Sequence, residues 1–109
     1  MKQGTTPTLP IKIKVPFENV KRVEFIFKKN ISKNSDILLY RVFEGNIPVE
    51  EPAADDHFIV KLALSDKETM RLSVGDIYMD TRVTMLDGNI PETKIVKINI
   101  SETLFEEAY

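Results

Sequence analysis

The residues best suited to metal chemistry are the single histidine, His57, and the carboxylates that precede it, Asp55 and Asp56. A transition-metal site needs three or more ligands that converge in the fold. The chain has no cysteine, and no further ligand lies at a metal-binding spacing from His57. The pattern is typical of a histidine at a strand edge beside solvated acids. We therefore predict no metal site.

Two acidic stretches invite a chemical interpretation. Asp87-Gly88-Asn89 places two oxygen-bearing side chains in a turn, but the twelve-residue ligand pattern of a calcium loop is missing. Glu50-Glu51 and Asp55-Asp56 could supply paired carboxylates for glycoside hydrolysis, which also needs a sugar-sized cleft. Charge runs of this kind usually face water. We predict a hairpin turn and a solvated loop, with no catalytic residue in either.

Motifs for nucleophilic catalysis, phosphate binding and nucleic-acid binding are not found. No serine lies in a strand–turn–helix nucleophile motif, and Gly4 and Gly45 stand alone instead of forming a phosphate loop. A basic cluster of Arg22, Lys28-Lys29 and Lys33 lacks interleaved aromatic residues, and the net charge of −2 has the wrong sign for nucleic acid. We predict a protein that is not an enzyme and has no catalytic residues, no cofactor and no nucleic-acid partner.

Length and composition indicate one domain that can fold without a bound metal or a disulfide. A chain of 109 residues can bury roughly two-thirds of the surface that it exposes when unfolded, so it needs neither metal nor disulfide. No apolar run approaches the ~20 residues of a membrane span, and the polar N-terminus is unlike a secretory signal. We predict a cytoplasmic protein with no membrane partner.

Alternation of apolar and polar residues dominates the chain and predicts β-strands. The predicted strands are 9–17, 22–28, 36–43, 57–64, 77–86 and 92–100, with a short edge strand at 47–49. Asp87-Gly88 between the last two is the strongest short-range hairpin signal that a sequence offers. Ser65 and Glu68 form a capping box for a short helix that Gly75 ends.

These elements predict an all-β fold: a sandwich of six or seven antiparallel strands with one short helical crossover, by analogy immunoglobulin-like. We assign residues 1–8 to a flexible arm, 9–101 to the sandwich and 102–109 to a short C-terminal tail. The arm either adds to a neighbour's sheet edge or is a disordered tail. Ser101 could cap a helical segment ending near Tyr109, and Leu104-Phe105 either fold back or dock on a partner.

The chain resembles small proteins encoded in the tail-gene regions of phages and prophages of Gram-positive bacteria. The resemblance lies in residues 1–8 (Met-Lys-Gln-Gly-Thr-Thr-Pro-Thr), Val15-Pro16-Phe17, residues 64–69, Arg82-Val83 within 77–86, Asp87-Gly88, and 95–101. It covers most of the chain, is specific only at 3–8, and matches nothing in 29–56.

Such proteins are related to the immunoglobulin-like N-terminal modules of baseplate upper proteins. The resemblance implies a non-catalytic structural or assembly role in a tail or baseplate, with other tail or baseplate proteins as partners. The protein is then expected in the host cytoplasm during assembly and in the virion tail afterwards. Repeated parts of this kind are commonly homo-oligomers. No functional residues of the family are carried over.

Carbohydrate binding is the alternative function. Tyr40, Tyr78 and Tyr109 could form a stacking patch for sugars or a partner if they are exposed on one sheet face. Packing in the core or at its rim is the competing interpretation, since a tyrosine usually buries much of its area. The sequence leaves the two open.

Overall fold

The structure is a computed structural model and describes residues 1–105. Within them the strands are β1 (Thr8–Ile13), β2 (Val20–Lys28), β3 (Ile37–Glu44), β4 (Phe58–Ala63), β5 (Gly75–Met85) and β6 (Val96–Ile100). A 3-10 turn, Phe17–Asn19, precedes β2, and one helix, α1 (Asp66–Met70), separates β4 from β5.

The strands form two antiparallel sheets that face each other. One sheet has the order β1-β4 and the other the order β3-β2-β5-β6. Helix α1 carries the chain from the smaller sheet to the larger one. This arrangement is an immunoglobulin-like sandwich whose smaller sheet is reduced to two strands. The predicted fold class, a sandwich of six or seven antiparallel strands with a helical crossover, is confirmed, and the described residues contain six strands.

The core lies between the sheets and consists of the inward residues of the alternating strands. Its members that exclude solvent almost completely include Val23, Phe25, Phe27, Phe58, Val60, Leu62, Ile77 and Val83. Each such side chain contributes about 1.5–3 kcal/mol when it leaves water. The burial, and not local propensity, determines which face of each strand points inward.

The first predicted strand is too long. β1 ends at Ile13 instead of Phe17, because Pro16 has no amide donor and the chain turns at Phe17–Asn19. Phe17 still joins the core, with its ring centroid 5.1 Å from that of Phe58. The predicted edge strand at 47–49 is reduced to a single bridge, between Val49 and Val60 of β4.

Helix α1 begins at the predicted capping box. The Ser65 hydroxyl accepts a bond from the Glu68 amide at 3.1 Å, and the Ser65 amide donates to Glu68 Oε1 at 2.9 Å. The helix ends at Met70 with Arg71 as its C-cap, so Gly75 does not terminate it and instead opens β5. Arg41 Nη1, 3.0 Å from Glu68 Oε1, ties β3 to this helix.

Residues 1–8, predicted as a flexible arm, are bound to the sandwich. The Ser101 amide donates to Met1 O at 2.7 Å and the Gln3 amide to Ser101 O at 3.0 Å, a parallel pairing at the end of β6. The Gln3 side chain donates to Leu72 O at 2.8 Å, and the Thr69 hydroxyl donates to Thr5 O at 2.8 Å. The segment adds to a sheet edge of its own chain, and its last residue, Thr8, is the first residue of β1.

The connection between β5 and β6 is longer than the predicted hairpin. The chain turns at Asp87-Gly88, but β6 begins at Val96 instead of residue 92. Pro91 interrupts the segment, and the Thr93 hydroxyl bonds to Thr81 O on β5 in place of a backbone ladder. β5 and β6 nevertheless pair as antiparallel neighbours, as predicted.

The predicted C-terminal helix has no counterpart in the described part of the chain. Ser101 bridges to Lys2 instead of capping a helix, and residues 102–105 carry no regular structure. Leu104 is 99% exposed. Tyr109, the predicted end of that helix, lies outside the described residues.

Candidate functional site

The outer face of the four-stranded sheet holds the densest group of interacting polar side chains in residues 1–105. Successive strand residues alternate between faces, so every second side chain of β2, β3 and β5 points outward. The strand register places Glu24 between Val42 and Arg82, and Ile26 between Tyr40 and Asp80. We call this set, with Arg22 and Tyr78, the outer face.

Glu24 is at the centre of a bonded network on the outer face. Arg82 donates two hydrogen bonds to its carboxylate, from Nε to Oε1 at 2.9 Å and from Nη2 to Oε2 at 2.8 Å. Tyr40 donates its hydroxyl to Oε2, and Arg22 Nε lies 3.3 Å from Oε1. Although it points away from the core, Glu24 is only 6% exposed, because these neighbours cover it.

The network shifts the pKa values of its members. The hydrogen bonds from Arg82 lower the pKa of Glu24 from 4.5 to about 2, against the opposing effect of burial. Tyr40 and Arg22 add to the lowering. The pKa of Tyr40 is raised, mainly because its hydroxyl donates a hydrogen bond to the Glu24 carboxylate. Glu24 is therefore ionised at ordinary pH and holds Arg82 and Tyr40 in fixed positions.

A groove of about 510 Å³ opens beside this network. We call it the outer groove; its lining is Ile26, Lys28, Asn30, Ile31, Ser32, Lys33, Tyr78, Asp80 and Ile95. Lys28 Nζ donates to the carbonyls of Ser32 and Lys33, which holds the loop that forms one wall. A recess of about 170 Å³ shares Ile26 and Asp80 and reaches Glu24, Tyr40 and Arg82. The groove and the network thus form one continuous surface.

The residues considered for metal chemistry do not converge. His57 Nδ1 lies 2.8 Å from Asp56 Oδ1, its sequence neighbour. That contact lowers the pKa of Asp56. Among residues 1–105 no group of three or more histidine, cysteine or acidic side chains is placed to hold a metal ion.

The acidic stretches lie apart from the outer face. Asp87 uses its carboxylate within the turn, accepting from the Asn89 amide at 2.9 Å and side chain at 3.0 Å. Glu50, Glu51, Asp55 and Asp56 are all exposed on the loop before β4. The carboxylates of this loop and of the turn are not brought together.

Of the basic cluster and the tyrosines, Arg22, Tyr40 and Tyr78 lie on the outer face, and Lys28 and Lys33 line the outer groove. Arg22 lies against Glu24, and Lys28 holds its own loop, so both are committed to contacts within the chain. Tyr40 is 48% exposed and Tyr78 is half-buried, and both flank Ile26. Both rings are thus partly accessible on one sheet face, and the stacking patch stays a prediction. Tyr109 lies outside the described residues.

The Glu24–Arg82 pair and the Arg41–Glu68 pair are not found by inspecting the sequence. Their members are separated by 58 and 27 positions. The available signal is weak: Glu24 and Arg82 each occupy an outward position of a strongly alternating strand. Which strands are neighbours, and in what register, decides that the two charges meet.

Comparison with known proteins yields neither a family nor a curated relative. No family model matches the chain, and no curated protein matches it. Among solved structures it is similar to the extracellular domains of the voltage-gated sodium channel beta4 subunit, described as parallel homodimers with a role in cell–cell adhesion. That match has 13% identity and a TM-score of 0.38, and covers 94% of this chain and 88% of the other.

A second similar chain comes from photo-crosslinking work on multimeric cell-adhesive interactions of voltage-gated sodium channel beta subunits. It shows 14% identity and a TM-score of 0.38, and covers 94% of this chain and 87% of the other. At this identity and TM-score, the similarity indicates neither a binding partner nor an activity for this chain. In residues 1–105 there is no helix with the length and apolar character needed to cross a membrane.

Proposed function

We propose that this protein is a non-catalytic structural or assembly component of a phage or prophage tail or baseplate, which acts through protein–protein contact. The observation that carries the contact role is the outer face. On it Glu24 is paired with Arg22 and Arg82, and the apolar side chains of Ile26 and Val42 lie beside them in the strand register. The phage assignment is supported by the resemblance of residues 3–8 and of the later segments named above.

The outer face has the composition of a binding surface. Tyrosine and arginine dominate the energetics of protein interfaces, and here Tyr40 and Arg82 are held in place by Glu24. Val42, which pairs with Glu24 in the strand register, is 46% exposed, and Ile95, which lines the adjoining outer groove, is 47% exposed. Because the side chains of Tyr40 and Arg82 are fixed before binding, they lose little further conformational entropy when a partner binds.

The test is binding to the purified products of the genes adjacent to its own, followed by size-exclusion chromatography with light scattering. We expect at least one complex, weakened about tenfold or more by Val42→Lys, which puts a charge into the contact. Ile90→Lys is the matched control, since Ile90 is 58% exposed and outside the outer face. A protein that binds none of these gene products contradicts the proposal.

Carbohydrate binding is a second candidate, favoured by the placement of Tyr40 and Tyr78 on the same face beside Ile26. Aromatic rings on one sheet face provide a platform for the apolar faces of sugars. A glycan array probed with the wild type and Tyr78→Ala tests it. Signals that survive Tyr78→Ala, or no signal from the wild type, contradict this candidate.

A further inference from the structure

We propose that β3 pairs antiparallel with β3 of a second copy of this protein, so that two four-stranded sheets join edge to edge. The inference goes beyond the proposed function, because it concerns self-association at a sheet edge and does not depend on any other partner. It rests on the state of the strand edges: in residues 1–105, β3 has the longest edge that is left unpaired.

Both edges of the smaller sheet resist the addition of a strand. On the free side of β1, Pro10 has no amide to donate and Lys12 is an exposed charge, two features that disfavour edge pairing. The free side of β4 is covered by the loop before it, whose Glu50 amide donates to Ile59 O at 2.8 Å. Self-association through this sheet is therefore disfavoured at either edge.

The larger sheet has one covered edge and one open edge. At the end of β6 the N-terminal segment is in place, with the Ser101 amide donating to Met1 O at 2.7 Å. The rest of that edge, residues 96–98, is short and contains Lys97. At the opposite edge, β3 spans Ile37–Glu44 without a proline or a lysine, and no other segment of residues 1–105 pairs with its free side. An open edge of this length is a template for another strand.

The side chains of β3 leave its backbone edge accessible. Tyr40 donates its hydroxyl to Glu24 of β2, so its ring leans over the sheet and away from the edge. Arg41 Nη1 donates to Ala63 O at 3.0 Å and lies 3.0 Å from Glu68 Oε1, on the opposite side of the sheet. An incoming strand therefore meets backbone donors and acceptors instead of a covering side chain.

A second copy of β3 suits this edge because the strand is complementary to itself. Opposed residues of an antiparallel pair share a face of the sheet. With a two-fold axis at Tyr40, residues 37–43 of the two copies pair in reverse order, and Leu38 lies opposite the partner's Val42. The outward row is then uncharged, and it covers Val42, which is 46% exposed. Arg41, the only charged residue in this stretch, lies opposite an uncharged residue.

The charges of β3 and its flanks determine this register. With the axis at Tyr40, Glu44 of each copy faces the partner's Asp36, so like charges meet only outside the paired stretch. Arg22 Nη1, 3.9 Å from Glu44 Oε2, offsets part of that repulsion. An axis at Arg41 would oppose two arginines directly, and an axis farther along the strand would pair fewer residues of β3. The axis at Tyr40 therefore pairs most of the strand without opposing like charges inside it.

Cysteine cross-linking tests the pairing, because the chain has no cysteine of its own. Leu38→Cys and Val42→Cys are prepared separately, mixed and oxidised. Opposed residues have Cα atoms about 4.5–5.5 Å apart, which a disulfide can span. We expect a disulfide-linked dimer from the mixture and little from either variant alone, since its two cysteines would lie about 13 Å apart along the strands. A mixture of Lys12→Cys and Val42→Cys is the matched control, with one thiol on the edge of β1.

Asp36→Lys tests the register by sedimentation velocity at low salt. One strand pair is a small interface, so we expect the 12.5 kDa chain to form a reversible dimer with a dissociation constant in the micromolar to submillimolar range. Asp36→Lys places a lysine opposite Glu44 at both ends and should tighten the dimer about threefold to tenfold. Asp55→Lys makes the same change of charge in an exposed loop and should leave the dissociation constant close to that of the wild type.

Thermal melting of every variant verifies that it is folded. The inference is overturned if the wild type stays monomeric up to about 1 mM. It is also overturned if the mixed cysteine variants form no more dimer than either alone, or if Asp36→Lys associates no more tightly than Asp55→Lys. A wild type that binds a neighbouring gene product but not itself overturns this inference alone. A dimer that binds none of those products contradicts only the proposed function.

Discussion

Glu24 accepts contacts from side chains of three strands: Arg22 on its own strand, Tyr40 on β3 and Arg82 on β5. A carboxylate that is 6% exposed is costly unless it is paired, and here both oxygens are occupied. Arg82 is the main partner, because its planar guanidinium matches the two oxygens. The network thus fixes three strands relative to one another at their outward side chains.

Glu24→Gln tests the contribution of this charge to stability. The pKa of Glu24 is about 2 in the folded chain, against an ordinary 4.5. Its stabilising effect is therefore complete above pH 4.5 and is lost as the pH falls toward 2, about 3 kcal/mol in all. We expect the free energy of unfolding, measured with urea, to fall over this range more steeply in the wild type than in Glu24→Gln. Parallel pH curves for the two proteins contradict the assignment.

Tyr40→Phe tests the hydrogen bond between Tyr40 and Glu24 from the tyrosine side. The pKa of Tyr40 is raised by its bond to Glu24, so the stabilisation from this bond is present below the ordinary pKa of tyrosine and is lost as the pH rises through the raised value. We expect the ultraviolet titration of the tyrosines to contain a phase displaced to high pH. Tyr40→Phe should remove that phase and Tyr78→Phe should leave it. If the phase survives Tyr40→Phe and disappears in Tyr78→Phe, the tyrosine with the raised pKa is not Tyr40.

The N-terminal segment, at the scale of elements, behaves as a structural part of the sandwich. Its backbone pairs with Ser101, and its Gln3 side chain satisfies a carbonyl beyond α1, that of Leu72. Gly4 adopts φ +74° between these contacts, a conformation that other residues rarely adopt. The segment therefore joins the end of β6 to the start of β1 across the two sheets.

Amide hydrogen exchange distinguishes the bound segment from a loose arm. The amides of Gln3 and Ser101 donate hydrogen bonds, at 3.0 Å and 2.7 Å. We expect both to exchange at least about tenfold more slowly than unprotected amides of the same sequence context. Thr69→Val, which removes the bond to Thr5 O, should speed the exchange of Gln3. Unprotected exchange at the Gln3 amide of the wild type would contradict the bound segment and support the prediction that residues 1–8 are a flexible arm.

The whole molecule is stabilised by one core between two sheets of unequal size. Phe25 of β2 is fully buried and packs edge-on against Phe43 of β3, with 6.2 Å between ring centroids. The smaller sheet covers this core with only β1 and β4. The outward side of the larger sheet is thereby left for the network and the outer groove.

Phe25→Ala measures how much the core contributes. We expect a loss of about 3–5 kcal/mol in the free energy of unfolding, a large share of the 5–15 kcal/mol typical of a domain. Ile90→Ala, at a position that is 58% exposed, should change it by less than about 0.5 kcal/mol. Urea unfolding of both variants checks the difference, and similar midpoints for the two would contradict the placement of the core.

The candidate site was only partly accessible from the sequence. Tyr40 and Tyr78 were singled out as aromatic residues that could share a face, and they do. Glu24 and Arg82 alternate with apolar residues in their strands, but nothing in a single strand shows which charge will lie opposite. The outer groove could not be predicted for the same reason, since two of its lining residues, Ile31 and Ile95, belong to separate loops.

The sequence by itself determined the strands, the capping box at Ser65 and the sandwich class, because alternation and capping depend on residues a few positions apart. Only the tertiary structure decided that residues 1–8 bind beside β6, that β1 stops at Ile13, and that Glu24 meets Arg82. These outcomes depend on contacts between distant parts of the chain. Backbone donors and buried charges take the partners that the packed sheets bring within reach, and no local pattern encodes that choice.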